Sequence, residues 1–171
     1  MKKQTDHGFS VKKIAVWGVL VSVSLVLGYI ESMIPFAVGV PGVKLGLCHI
    51  VTLFALYRMD VGSVWMTGVV RVGLAALLFG NVMVLAYSAA GMVCSLSVML
   101  LLKKCRCFSP VGVSVAGGAA HNMGQIICAA CLMNTAGLIW YLPVLLLFGT
   151  VSGTLIGALG SLLINRLKFK I

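Results

Sequence analysis

The sequence predicts an all-α polytopic membrane protein, a single bundle of six transmembrane helices, and three observations carry that expectation. Of 171 residues, 61% are hydrophobic and only 9% charged, against about 25% charged in ordinary globular domains. Apolar runs recur along the chain, separated by short turns rich in Gly, Pro, Asn and Asp. The basic residues fall in alternate connections, as the cytoplasmic excess of Lys and Arg requires.

Taken in order, residues 1–13 are a basic tail with Lys2, Lys3, Lys12 and Lys13, and the first helix follows from residue 14 to about 30. A signal peptide has an apolar core of about 7–15 residues and then a small-residue cleavage site. The exit here, Glu31-Ser32-Met33-Ile34-Pro35, offers no such site, so the helix is expected to be retained. Residues 34–43 carry two Pro and two Gly and form the longest loop. The second helix is expected over residues 43–57, short for the ~20 residues that span hydrocarbon. Arg58 and Asp60 turn the chain into the third helix, 61–79, which holds Arg71 near its centre. Gly80-Asn81 leads to the fourth, which runs to about Leu102 and ends in Lys103, Lys104 and Arg106. Ser109-Pro110 opens the fifth, 111–133, and Asn134 to Gly137 closes it. The sixth begins with the interfacial set Trp140, Tyr141 and Pro143 and ends in Asn165 and Arg166. The membrane domain is thus residues 14–167, followed by a second basic tail at 168–171 with Lys168 and Lys170.

With both termini in the cytoplasm, the tail, Arg58, the Lys103 to Arg106 cluster and the final basic residues all fall inside. The formal charge of +10 is then an orientation signal in a protein held in a lipid bilayer, and a nucleic-acid partner is not expected. Two basic residues remain unexplained, Lys44 and Arg71.

Those two define the candidate site. The stretch Pro41-Gly42-Val43-Lys44-Leu45-Gly46-Leu47-Cys48-His49 places charge ahead of an apolar helix. If the helix opens at Pro41 to Lys44, Lys44 and Cys48 share a face with His49 beside them, and the partial positive charge of the helix start suits an anion or a carbonyl. The alternative is a Lys that snorkels to the membrane surface. Arg71 lies ~15 Å along its helix at 1.5 Å per residue, near mid-bilayer. An unpaired Arg there costs roughly 2.5–3.5 kcal/mol, so it must face protein, water or a ligand. Glu31 is its one candidate structural partner, since Asp6 and Asp60 are expected on the cytoplasmic side. On the fifth helix Ser114, His121, Gln125 and Cys128 form one polar stripe, with Gly117, Gly118 and Asn122 alongside. Such a stripe either ties helices together or lines a cavity. Lys44, His49, Arg71, His121, Asn122 and Gln125 are therefore the expected ligand-binding set. Lys44 and Arg71 would meet the charge, Asn122 and Gln125 would orient a polar edge, and His121 would donate or accept a hydrogen bond without catalysing.

Gly149, Gly153, Gly157 and Ser161 recur every fourth residue on the sixth helix, a spacing for close helix packing inside the chain. Ala15, Gly18 and Ser22 form a weaker version on the first helix, expected to meet a partner. Cys105 and Cys107 are expected to stay reduced in the cytoplasm, and a zinc site would have to be assembled from distant pieces, Cys48-His49 with Cys128 and Cys131, so no metal is expected. There is no G-x-x-x-x-G-K-[ST] segment, and neither nucleotide hydrolysis nor any cofactor is expected in this chain.

Pro41-Gly42-Val43-Lys44-Leu45-Gly46-Leu47, the Arg71 helix, Ser88-Ala89-Ala90-Gly91 with Ser95 and Met99, and Ser109-Pro110-Val111-Gly112-Val113-Ser114 with His121-Asn122-x-x-Gln125 resemble the Gx transporter family. Its members are commonly labelled heptaprenyl diphosphate synthase component I, and the family is similar to the six-helix substrate-binding S components of energy-coupling factor (ECF) transporters. His49 departs from the Asn expected in the family, and Ala15, Gly18 and Ser22 only approximate the S-component docking pattern Ala-x-x-x-Ala. The resemblance implies a substrate-binding component in the cell membrane. It would capture a small, anionic molecule such as a vitamin, flavin or isoprenoid phosphate from outside, with a separate energising module of a transmembrane coupling protein and ATPases. The other reading is a non-catalytic accessory component of prenyl diphosphate synthesis. Prenyl transfer itself uses clustered aspartates to hold Mg²⁺ on a diphosphate, and this chain has two Asp, far apart.

Overall fold

The computed structural model describes residues 11–33 and 46–167, and no strand occurs among them. Six α-helices follow one another: α1 (Val11–Met33), α2 (Cys48–Arg58), α3 (Val61–Phe79), α4 (Val82–Cys105), α5 (Pro110–Met133) and α6 (Leu142–Arg166). A 3-10 helix over Ala136–Tyr141 leads into the last and contains the aromatic pair expected to open it. The loop at 34–43, Lys44 and the tail residues 1–10 and 168–171 lie outside the described residues.

The turns stop and start the helices by short-range chemistry. Asp60, Asn81 and Ser109 hold extended backbone just before α3, α4 and α5 and accept from the N–H of Ser63 (3.1 Å), Val84 (2.9 Å) and Gly112 (3.2 Å). Each satisfies one of the four N–H groups that a helix start leaves open, worth ~1 kcal/mol. Pro110 adds a preset φ at the head of α5. Arg106 and Asn134 end α4 and α5 in the left-handed region, at φ 55° and 51°.

The second helix begins later than its sequence suggests. It opens at Cys48 and not at residue 43, because Gly46 takes φ 72° and interrupts any helix passing through it. Cys48 therefore does not continue a helical face from Lys44. The open N–H groups at this start are met from another helix: Glu31, at the end of α1, accepts from Gly46 N at 2.5 Å and from Leu47 N at 3.0 Å. A carboxylate at a helix start is favoured by both the free N–H groups and the dipole, so Glu31 occupies the place expected for a ligand anion.

α5 lies between α4 and α6 and packs closely on both, α2 lies against α6 and α1, and α3 bridges α1 and α4. Leu53, Leu56, Val64, Leu96 and Val113 form the fully buried centre. The α5–α6 contact is made by the glycine stripe: a Cβ on Gly153 would stand 2.9 Å from Val115 Cα, and one on Gly157 would stand 2.8 Å from Val111 Cα. Only hydrogen at those positions lets the two backbones meet.

One end of the bundle gathers charge. Lys13 pairs with Asp60 at 2.6 Å, Arg58 donates to the Ile164 carbonyl, and Lys103 donates to the Leu56 carbonyl. Lys13 and Ser63, by hydrogen bonding, hold the Asp60 carboxyl well below the usual carboxylate range. The sides of the bundle are apolar, with Leu77 at 83% and Val82 at 80% exposed, a surface suited to hydrocarbon. By length and composition, four stretches can cross a membrane: Lys13–Glu31, Val61–Phe79, Val82–Cys105 and Gly137–Arg166. α5 is 24 residues long, but its polar stripe lowers its apolarity, and it is sheltered between α4 and α6. α2 has 11 residues, which cover ~16 Å of a hydrocarbon core ~30 Å thick.

Candidate functional site

A cavity of about 220 Å³ opens among all six helices, in the half of the bundle away from the charged end. Its walls come from the last turns of α1, the first residues of α2, the second half of α3, the start of α4, the middle of α5 and the first half of α6. Five of the six expected ligand-binding residues line it together: His49, Arg71, His121, Asn122 and Gln125. The sixth, Lys44, lies outside the described residues.

Arg71 reaches the cavity from mid-α3, where a charge turned to hydrocarbon would be costly. Its Nη1 donates to Cys48 Sγ at 2.7 Å, and its Nε is buried with no hydrogen-bond partner. No Arg71 nitrogen comes within the 4.0 Å of an ion pair to Glu31. The structural alternative of an Arg71–Glu31 ion pair is thus not formed: Glu31 turns to the backbone of α2, and Arg71 turns to its first side chain.

His49 and His121 meet edge to face, with ring centroids 4.7 Å apart and planes at 79°. This contact joins the short α2 to the polar stripe of α5. His121 and Gln125 fit because Gly91 of α4 lies opposite; a Cβ there would come within 2.8 Å of both side chains. Asn122 donates from Nδ2 to the Leu145 carbonyl of α6 at 2.8 Å, so one of its hydrogens ties two helices and its carbonyl oxygen is left for the cavity. Ser114, from the same stripe, is buried lower down between α4 and α6, beside Ser95 and Met99, and does not reach the main cavity.

Five polar residues outside the expected ligand-binding set also line the cavity: Glu31, Cys48, and the hydroxyl-bearing Ser24, Ser88 and Ser152. The serines carry no local signal, since one Ser in an apolar helix bonds equally well to its own backbone. Glu31 does carry a signal, being the lone acidic residue at a helix end facing a Gly-rich loop, but its partner is the α2 backbone and not the expected Arg71. Among the described residues no group of three or more His, Cys, Asp or Glu side chains is placed to hold a metal ion.

The small-residue face of α1 is open. Ala15, Gly18 and Ser22 are all exposed, nothing lies within 4 Å of a Cβ placed on Gly18, and Ser22 Oγ donates to the Gly18 carbonyl at 2.8 Å. Ala15 also borders a wholly apolar groove of about 500 Å³ between α1, α2 and α6.

A family model described as heptaprenyl diphosphate synthase component I matches residues 20–163, which include every described residue lining the cavity. No curated protein and no solved structure matches the chain.

Proposed function

We propose that this chain, which belongs to the heptaprenyl diphosphate synthase component I family, is a non-catalytic membrane component that binds a small anionic molecule in the cavity between its helices. The supporting observation is Arg71: a guanidinium on the cavity wall, about ten residues into an apolar helix, with its Nε unpartnered and, among the described residues, no carboxylate within ion-pair distance. A charge held there is costly without an anion to meet it. Cys48 takes only one of its five N–H donors. His49, His121, Asn122 and Gln125 surround the same space and supply donors and acceptors for the rest of the ligand.

In this reading the chain acts as an S-component-like capture protein. Its six-helix bundle sits in the cell membrane with both termini in the cytoplasm, so the cavity opens to the outer face. The exposed face of Ala15, Gly18 and Ser22 meets the coupling protein of an energising module. A second reading follows from the family description, in which "component I" implies a companion component. The chain would then be the membrane accessory of a prenyl diphosphate synthase, again without catalysing. Both readings use the same cavity.

Native mass spectrometry of the purified chain tests the proposal, with Arg71→Gln in parallel. The wild type is expected to carry a small anionic molecule. The variant should bind it about 10-fold to 150-fold more weakly, the equivalent of a charge-assisted hydrogen bond of roughly 1.5–3 kcal/mol. Unchanged binding in folded Arg71→Gln would refute the anion site. Co-purification with ATPases or with a prenyltransferase separates the two readings.

A further inference from the structure

Two opposite charges share the cavity wall without touching each other. Glu31 and Arg71 both line it, Glu31 bound to the backbone of Gly46 and Leu47 and Arg71 to the side chain of Cys48, so the first turn of α2 stands between them. Neither forms an ion pair among the described residues. A carboxylate offers about four acceptor positions, and the two backbone N–H groups use two of them. The guanidinium likewise keeps donors free. We infer that the cavity is built for a small zwitterion, whose carboxylate lies on Arg71 and whose protonated amine lies on Glu31. This rests on the cavity being a ligand site with Arg71 as its anion contact.

Size and charge support the same class. A volume of about 220 Å³ lies below the roughly 300–1,000 Å³ of pockets that take drug-sized ligands. An amino acid with a short side chain fits that space. A seven-unit prenyl diphosphate, with its 35 carbons, does not. The one guanidinium and the one carboxylate on the described wall also cancel, which matches a zwitterion and opposes a diphosphate, whose several negative charges are ordinarily met by metal ions or clustered cations. The apolar part of the wall, Val72, Ala75 and Ala76 among it, suits a short aliphatic side chain.

The test is a binding panel on the full chain purified in detergent, read by isothermal titration calorimetry. The panel contains α-, β- and ω-amino acids with short aliphatic chains, the matching carboxylic acids without the amine, the matching amines without the carboxylate, and inorganic diphosphate. At least one amino acid should bind tenfold or more tighter than both its amine-free and its carboxylate-free counterparts. Glu31→Gln, which keeps an acceptor oxygen for α2, should remove the advantage of the amine and leave the amine-free acid binding as before. Arg71→Gln should weaken every carboxylate ligand. If an amine-free acid or diphosphate binds as tightly as the best amino acid, the zwitterion is overturned and the anion site stands. If Arg71→Gln leaves the preferred ligand's affinity unchanged, the anion site falls with it. Should Glu31→Gln fail to fold, the wild-type panel decides alone, and absence of amino-acid binding there overturns the inference.

Discussion

Replacing Gly157 with Ala probes the contact that holds α5 on α6, and the structure sets the size of the effect. The new Cβ would stand 2.8 Å from Val111 Cα, 3.0 Å from Ser114 Cβ and 3.2 Å from the Val111 carbonyl oxygen. Two of these three atoms are backbone, so no rotamer change relieves them and the helices must part. Overpacking of this kind costs about 1–3 kcal/mol. Against it stands the intrinsic gain of Ala over Gly inside a helix, about 1 kcal/mol. Gly18→Ala isolates the two effects, because nothing lies within 4 Å of its Cβ. That variant should be neutral or more stable by up to about 1 kcal/mol, and the difference between the two variants should equal the packing cost, about 1–3 kcal/mol, since the helix gain cancels. Reversible unfolding in mixed detergent micelles with increasing dodecyl sulfate measures both. Equal shifts in the two variants would refute the packing account of the glycine stripe.

Three other outcomes follow from the same structure. Asn122→Ala removes the bond to the Leu145 carbonyl and should destabilise the bundle by about 0.5–1.5 kcal/mol in the same unfolding assay. Asp60 has a lowered folded pKa, caused first by its hydrogen bond to Lys13, so its stabilising contribution is complete above the unfolded value of about 3.9 and is lost as pH falls below it. Asp60→Asn keeps one oxygen for the cap on α3 but loses the ion pair and the acceptor for Ser63 Oγ; thermal melts should show it less stable than wild type by about 1 kcal/mol at neutral pH, with the gap closing in acid. For topology and docking, Thr135→Cys in a background without other cysteines should be labelled from outside intact cells, and Gly18→Leu should reduce co-purification with a membrane partner while leaving the monomer folded; labelling only after permeabilisation, or an undisturbed partner complex, would count against the corresponding assignment.

Much of the site is legible in the chain for one reason: a polar residue inside an apolar helix cannot face lipid. That rule alone turns Arg71, His121 and Gln125 inward, and His49 follows by standing at the head of an apolar segment. The roles of their neighbours are less legible. Asn122 reads as a ligand group, yet part of its amide joins α5 to α6. Ser114 belongs to the same stripe but lies outside the main cavity. The start of α2 and the partner of Glu31 are hidden together, because the carboxylate that satisfies Gly46 and Leu47 comes from 15 and 16 residues away on another helix.

The sequence by itself determined the helices and the turns between most of them. Asp60, Asn81 and Ser109 each satisfy a backbone N–H only three residues away, and an apolar run has the same preference for hydrocarbon whatever it packs against. Tertiary structure decided which polar groups meet. That depends on how closely the helices approach, and the approach is set by contacts such as Gly157 on Val111 and Gly91 beside His121, which belong to two helices at once. The separation of Arg71 from Glu31 is of the same kind: each finds a nearer partner on α2, and only the folded arrangement of three helices puts that turn between them.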